Sequence, residues 1–231
     1  DVFIVASYGK IISDAVLSIP KQGCINVHTS LLPAYRGPSP IQQVILDQQE
    51  QTGITIMKMD AKMDHGPLYF QKAIDIASNE TYRSLHSKLA HIGADVLPKL
   101  LPDIMKGNLK AKEQDHSAAT VTKIIKKDDA RINWEQPSDV IDAHIRAYYD
   151  WPIAWTLLED DKRLKIIQAS LSAHSSENKE PGQLFFLDGG VFITTKKGAL
   201  EIHSLQVEGK KVMTPKNFID GFHRFDGTKL S

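Results

Sequence analysis

The sequence predicts an α/β domain followed by a small β-barrel-like domain, and three observations carry that expectation. Short apolar runs alternate with helix-period segments over residues 1–107, the rhythm of strands and helices in an α/β domain. The texture then turns polar and aperiodic over residues 108–133, which read as a linker. From residue 134 onward, and above all beyond Trp151-Pro152, brief β-rich runs recur with glycine turns between them. That pattern suits a barrel or sandwich over 134–231.

Each element follows from local signals. Val2–Ala6 is a continuous apolar run, expected as a parallel strand buried on both faces. Lys10–Ile19 carries Ile11, Ile12, Ala15 and Val16 at helical spacing and stops at Pro20. Cys24–His28 is a second strand. Ser39-Pro40 starts a helix over Ile41–Gln48, with Ser as cap and Pro in the first turn. Thr52–Met59 and Leu68–Ile76 alternate as strands around the loop Asp60–Pro67. Thr81–Lys106 is helical through Leu85, Leu89, Ile92 and Val96, and is expected to be disturbed by Pro98 and Pro102. In the second part Ser138 caps a helix over Val140–Tyr148. Strands are expected at Ala154–Leu158, Leu164–Ser170, Gln183–Phe186, Val191–Thr195 and Leu200–Val207, with Asp188-Gly189-Gly190 and Lys197-Gly198 as turns. Thr214-Pro215 caps a last helix through Phe218 and Phe222.

Composition narrows the function classes. Of 231 residues, 42% are apolar and 24% charged, an ordinary globular balance. No apolar run reaches the roughly 18 residues a membrane span needs. Twenty-eight basic residues match 28 acidic ones, and the balance also holds within residues 120–231, so no broad positive field advertises nucleic acid. The single cysteine, Cys24, excludes a disulfide framework and fits a reducing compartment. The chain opens at Asp1 inside an apolar run, so an upstream segment completing the sheet is expected.

Three places carry candidate chemistry. Asn26 and His28 point to one face of their strand, at the end where α/β sheets bind ligands; on spacing alone, a satisfied polar pair is the favoured reading. Cys24 shares that face but lies deeper and is read as packing. Met59–Pro67 holds Asp60, Asp64, His65 and Gly66 and reads either as a cation-binding loop or as a solvated turn. The apolar Leu31-Leu32-Pro33 inside a loop beside the polar pair suits a pocket wall.

Together, Asn26-Val27-His28, Ser30-Leu31-Leu32-Pro33, Arg36-Gly37, Pro40-Ile41, Thr52–Met57 and Met59-Asp60…Met63-Asp64…Gly66 resemble the formyltetrahydrofolate-dependent formyltransferases. Tyr8-Gly9, Ala130–Trp134, Ile145–Ala147, Trp151-Pro152 and Gly209–Met213 extend the resemblance along essentially the whole chain, towards the members that formylate methionyl-tRNA. The resemblance implies a Rossmann-like catalytic domain lacking its first strands, then an OB-like barrel. The implied reaction moves a formyl group from 10-formyltetrahydrofolate to the amino group of initiator methionyl-tRNA. Related members use an amino sugar, a glycinamide ribonucleotide or water; a fragment that binds without turnover is a further alternative. The β-rich tail argues against the single-domain glycinamide enzyme.

The same resemblance assigns Asn26, His28 and Asp64 to catalysis. Asn26 and His28 would donate to the formyl oxygen as it gains charge, and Asp64 would orient His28 and help move the amine proton. Ser30, Leu31, Leu32, Pro33, Tyr8, Gly9, Ile11 and Asp60 would contact the folate, and Arg36, Lys126, Lys127, Lys210 and Lys211 the tRNA. No metal is implied, and the protein is read as a cytoplasmic monomer with no membrane attachment. Two departures from the family pattern stand out. Ala34-Tyr35 replaces a basic–aromatic pair, and His65 replaces the Thr that often follows the catalytic Asp; His65 is expected to face solvent.

Overall fold

The computed structural model describes residues 1–9, 12–174 and 180–231. They form two compact units, Asp1–Ile125 and Lys126–Ser231.

The first unit is built on a mixed four-stranded sheet in the order β1-β2-β3-β4. Its strands are β1 (Phe3–Val5), β2 (Cys24–His28), β3 (Gln51–Lys58) and β4 (Leu68–Asp75). β1 runs parallel to β2, and β2, β3 and β4 are antiparallel neighbours. The apolar run of β1 predicted a doubly covered strand; instead β1 lies at the sheet edge with Phe3 39% and Ile4 43% exposed. β2 and β3 hold the interior: Ile25, Ile54, Ile56 and Met57 are fully buried. The long helix α3 (Tyr82–Met105) packs on β3 and on α2 (Pro40–Leu46) through Leu85 and Leu89. Gly93 permits its close approach to β2, since a Cβ there would sit 3.0 Å from Val27 Cγ1. Thr81 caps α3 by accepting the Ser84 N–H. The helix runs through Pro98 and Pro102 without a break. Of the helix expected over Lys10–Ile19, Lys10 and Ile11 lie outside the described residues, and the rest holds a single turn, α1 (Asp14–Leu17), with no buried residue to anchor it.

Residues 108–125, expected within a linker, belong to the first unit. They lie across it as a strap fixed by backbone bonds. Leu68 and Lys112 exchange N–H···O bonds of 2.7 and 2.9 Å, Arg36 N–H donates to Thr120 O (2.9 Å), and Thr122 N–H to Arg36 O (2.7 Å). Main-chain pairing leaves no apolar period in the sequence, which is why the segment reads as loose.

In the second unit α4 (Ser138–Ala147) and α5 (Pro215–Phe222) accompany an antiparallel five-stranded sheet, β5-β6-β9-β8-β7. The strands are β5 (Trp155–Leu157), β6 (Arg163–Leu171), β7 (Leu184–Leu187), β8 (Gly190–Thr194) and β9 (Ala199–Val207). The β7–β8 turn needs two left-handed residues and has them in Asp188 (φ 48°) and Gly189 (φ 78°). One apolar core joins Ile141 and Ile145 of α4 to Ile166, Val191, Ile202 and Leu205 of the sheet and Phe218 of α5.

Candidate active site

Strand alternation in β2 puts Cys24, Asn26 and His28 on one face. Cys24 is buried, its Sγ is 3.9 Å from Leu17 O, and burial pushes its thiol pKa up. It is a packing group, as the sequence suggested. Asn26 and His28 meet Asp64, which arrives from the β3–β4 loop. Asn26 Nδ2 donates to Asp64 Oδ1 (3.4 Å), and His28 Nδ1 lies 3.6 Å from the same oxygen. Asp64 Oδ2 accepts the Gly37 N–H at 2.7 Å. The carboxylate is thus ringed by donors while its side chain stays 15% exposed. Asp64 itself sits at φ 48°, a left-handed conformation that aspartate tolerates better than most side chains.

The loop that brings Asp64 here depends on Gly66. A Cβ at Gly66 would lie 2.0 Å from the Lys58 carbonyl oxygen, so only glycine lets the loop fold back over the end of β3. On the other side, Tyr35 (φ 59°) and Gly37 (φ 106°) turn the proline loop. Their backbones aim the Tyr35 carbonyl at His28 Nε2 (2.9 Å) and the Gly37 N–H at Asp64. A carbonyl only accepts, so His28 Nε2 carries a hydrogen. Protonation at Nδ1 then makes the contact with Asp64 an ion pair. The Tyr35 hydroxyl donates to Asp47 Oδ2 (3.0 Å); burial first, and Asp47 second, push its pKa up to about 12.

Thr55 pins the Ser30–Pro33 segment, which contains a cis Leu32–Pro33 peptide. Its hydroxyl donates to Ser30 O (2.7 Å) and accepts Leu32 N–H (3.2 Å), while Gln71 Nε2 reaches Leu32 O (2.7 Å). Of the residues assigned to the folate wall, Ser30 and Leu32 are buried within the protein, and Leu31 and Pro33 are partly exposed. Tyr8 is 59% exposed and Gly9 is exposed as well; Ile11 lies outside the described residues. Asp60 Oδ2 is 2.7 Å from His65 Nδ1.

Two expectations change. Arg36, assigned to tRNA by the resemblance, is only 8% exposed, and its Nη2 bonds Gln114 Oε1 (2.7 Å) and His116 Nδ1 (2.9 Å). The loop around it folds under the strap, so its guanidinium is turned into the unit, with Nε buried and unpartnered among the described residues. His65, expected in solvent, pairs with Asp60 and stacks on His116 with ring centroids 3.9 Å apart. Lys126, Lys127, Lys210 and Lys211 are exposed on the second unit. Gln114, His116 and Gln71 carry no expectation from the sequence, and Thr55 entered only as part of the Thr52–Met57 motif. No local signal marks them, because their partners lie far along the chain. Among the described residues no group of three or more His, Cys, Asp or Glu side chains is placed to hold a metal ion, and no helix is long and apolar enough to cross a membrane.

The formyl transferase family model matches residues 1–101, and the model of the formyl transferase C-terminal domain matches residues 124–223. Methionyl-tRNA formyltransferase of Staphylococcus aureus strain MW2 is 39% identical over 223 residues, which is 96% of this chain and 71% of that protein. Its counterpart in strain JH1 matches with the same identity and coverage. Among solved structures, HypX from Aquifex aeolicus in complex with tetrahydrofolic acid superposes with a TM-score of 0.75 at 17% identity, covering 96% of this chain and 39% of that one. WlaRD, a sugar 3N-formyl transferase, gives 0.68 at 22% identity, covering 91% and 73%. These two share the fold. Two domain models in chain order, and a relative matched along nearly the whole length, show that the chain belongs to the formyltransferase family.

Proposed function

We infer that the protein transfers the formyl group of 10-formyltetrahydrofolate to the amino group of initiator methionyl-tRNA. The observation that carries this reading is the convergence of Asn26, His28 and the Gly37 N–H on Asp64, in a chain 39% identical to methionyl-tRNA formyltransferases. When the amine attacks the formyl carbon, negative charge grows on the formyl oxygen. Asn26 gives one N–H to Asp64 and keeps a second for that oxygen. His28, held by the Tyr35 carbonyl, presents Nδ1 to Asp64, and its protonated form adds positive charge beside the reacting group. Asp64 takes the proton that the attacking amine loses. That proton passes on to N10 as the N10–carbonyl bond breaks, so that tetrahydrofolate leaves neutral and Asp64 is again a carboxylate. No covalent enzyme intermediate is required. Leu31 and Pro33 supply apolar surface for the folate, with Tyr8, Gly9 and Asp60 as further contacts.

The second unit is assigned the task of holding tRNA, as a small OB-like barrel. Its five antiparallel strands and the register shifts in β6 near Gln168 support that assignment, as do the exposed Lys126, Lys127, Lys210 and Lys211. The protein is inferred to work as a monomer in the cytoplasm, in keeping with a lone, buried cysteine. The reading is tested by offering labelled formyl donor with methionyl-tRNA, amino sugars or water as acceptor. Label transferred to methionyl-tRNA, at a rate well above the other acceptors, is expected. Preferential formylation of an amino sugar would move the protein to another branch of the family.

A further inference from the structure

We propose that Gln114 is a positioning residue for the formyl-transfer step: its side-chain amide locks the Asp64 loop to the proline loop and so fixes the carboxylate on Asn26 and His28. The proposal rests on the reading of Asp64 as a participant in formyl transfer.

Gln114 lies in the strap and is nearly buried, at 6% exposure. Its Nε2 donates to two main-chain carbonyls of the β3–β4 loop, Asp64 O (2.9 Å) and Gly66 O (2.7 Å). Its Oε1 accepts from Arg36 Nη2 at 2.7 Å. The orientation of the amide is fixed by its partners, since carbonyls only accept and a guanidinium only donates. Each end of one planar group is therefore committed to a different loop. Arg36 is the immediate neighbour of Gly37, whose N–H holds Asp64 Oδ2. The two loops are thus joined twice, directly by Gly37 and Asp64 and through Gln114.

The carbonyls that Gln114 holds are that of Asp64 itself, which sits in the left-handed conformation, and that of Gly66 two residues on. A residue in that conformation persists only when its surroundings over-determine it. The neighbours support the clamp without replacing it: Arg36 also bonds His116, whose ring stacks on His65, and His65 pairs with Asp60. None of these contacts reaches the Asp64 or Gly66 carbonyl. Without Gln114 Nε2, one buried and one part-buried acceptor lose their partner, and the turn is free to let the carboxylate drift from Asn26. Misplacement of a reacting group by about 1 Å can cost on the order of 10² in rate.

Two variants separate donation from size and charge. Gln114→Leu removes every polar contact. Gln114→Glu keeps the length and the acceptor for Arg36 but offers no N–H to the two carbonyls. In both, kcat for methionyl-tRNA is expected to fall at least tenfold while KM for the formyl donor changes less than threefold. Amide exchange at Gly37 should accelerate at least tenfold, with β2 and β3 amides unchanged. The exchange measurement does not depend on turnover, and wild-type transfer measured alongside reports on the formyl-transfer reading separately. If Gln114→Glu retains wild-type Gly37 protection and kcat, or if exchange rises equally throughout the unit, Gln114 is not a positioning residue.

Discussion

At the scale of single residues, the site is held by a few groups with no slack. Gly66 is the sharpest case. Any side chain there meets the Lys58 carbonyl oxygen at 2.0 Å, and that oxygen is a backbone atom at the end of β3, which cannot swing aside as a flexible side chain can. Gly66→Ala is therefore expected to displace the Asp64 loop and lower turnover by roughly 10², while urea denaturation registers a loss of about 1–3 kcal/mol. Thr55 holds the other wall. Thr55→Val keeps the shape but leaves the buried Leu32 N–H without its acceptor, an uncompensated donor that costs about 1–3 kcal/mol; the shift in the urea midpoint measures it. His144 gives the pH dependence its sign. Burial, the dominant cause, holds its pKa below the ordinary value of 6.5 against the opposing pull of the Ala130 carbonyl and Asp129. The unfolded chain then binds more protons than the folded one in the window just below pH 6.5. Stability of the second unit should fall as pH drops through that window, and His144→Phe should flatten the profile of midpoint against pH.

At the scale of elements, legibility follows the range of the forces. The alternation of β2 put Asn26 and His28 on one face, and the structure keeps them there. Pro40 in the first turn of α2 was visible for the same local reason. Asp64 had no such signal; only the resemblance of its surroundings to a family pointed to it. Gln114 and His116 had less still. They lie in the strap, whose placement comes from main-chain bonds to β4 and to the proline loop, and a backbone bond leaves no mark on composition. Arg36 was assigned to tRNA through the family resemblance, and nothing local in the sequence announces that the strap covers it. The apolar run of β1 misled, since apolarity reports what a strand can bury and not where its neighbours lie.

At the scale of the whole molecule, the proposed work divides between two units. Every group assigned to chemistry lies in the first, and the second offers a β-rich scaffold with exposed lysines. Replacing Lys210 and Lys211 with Ala should weaken tRNA binding and reduce the dependence of log affinity on log salt by about 1 to 2, with folate affinity unchanged. An unaltered salt slope in a binding titration would return both lysines to the role of solvated turn residues. The central claim, that Asn26, His28 and Asp64 act as one catalytic unit, has its most direct test in the single and paired substitutions Asn26→Ala, His28→Ala and Asp64→Asn. Labelled formyl transfer to methionyl-tRNA would be measured beside donor binding. Each single change should lower kcat by about 10² or more, paired changes should cost little beyond the worse single one, and donor affinity should hold within about threefold. Wild-type kcat in Asn26→Ala, or losses that multiply across pairs, would contradict the account.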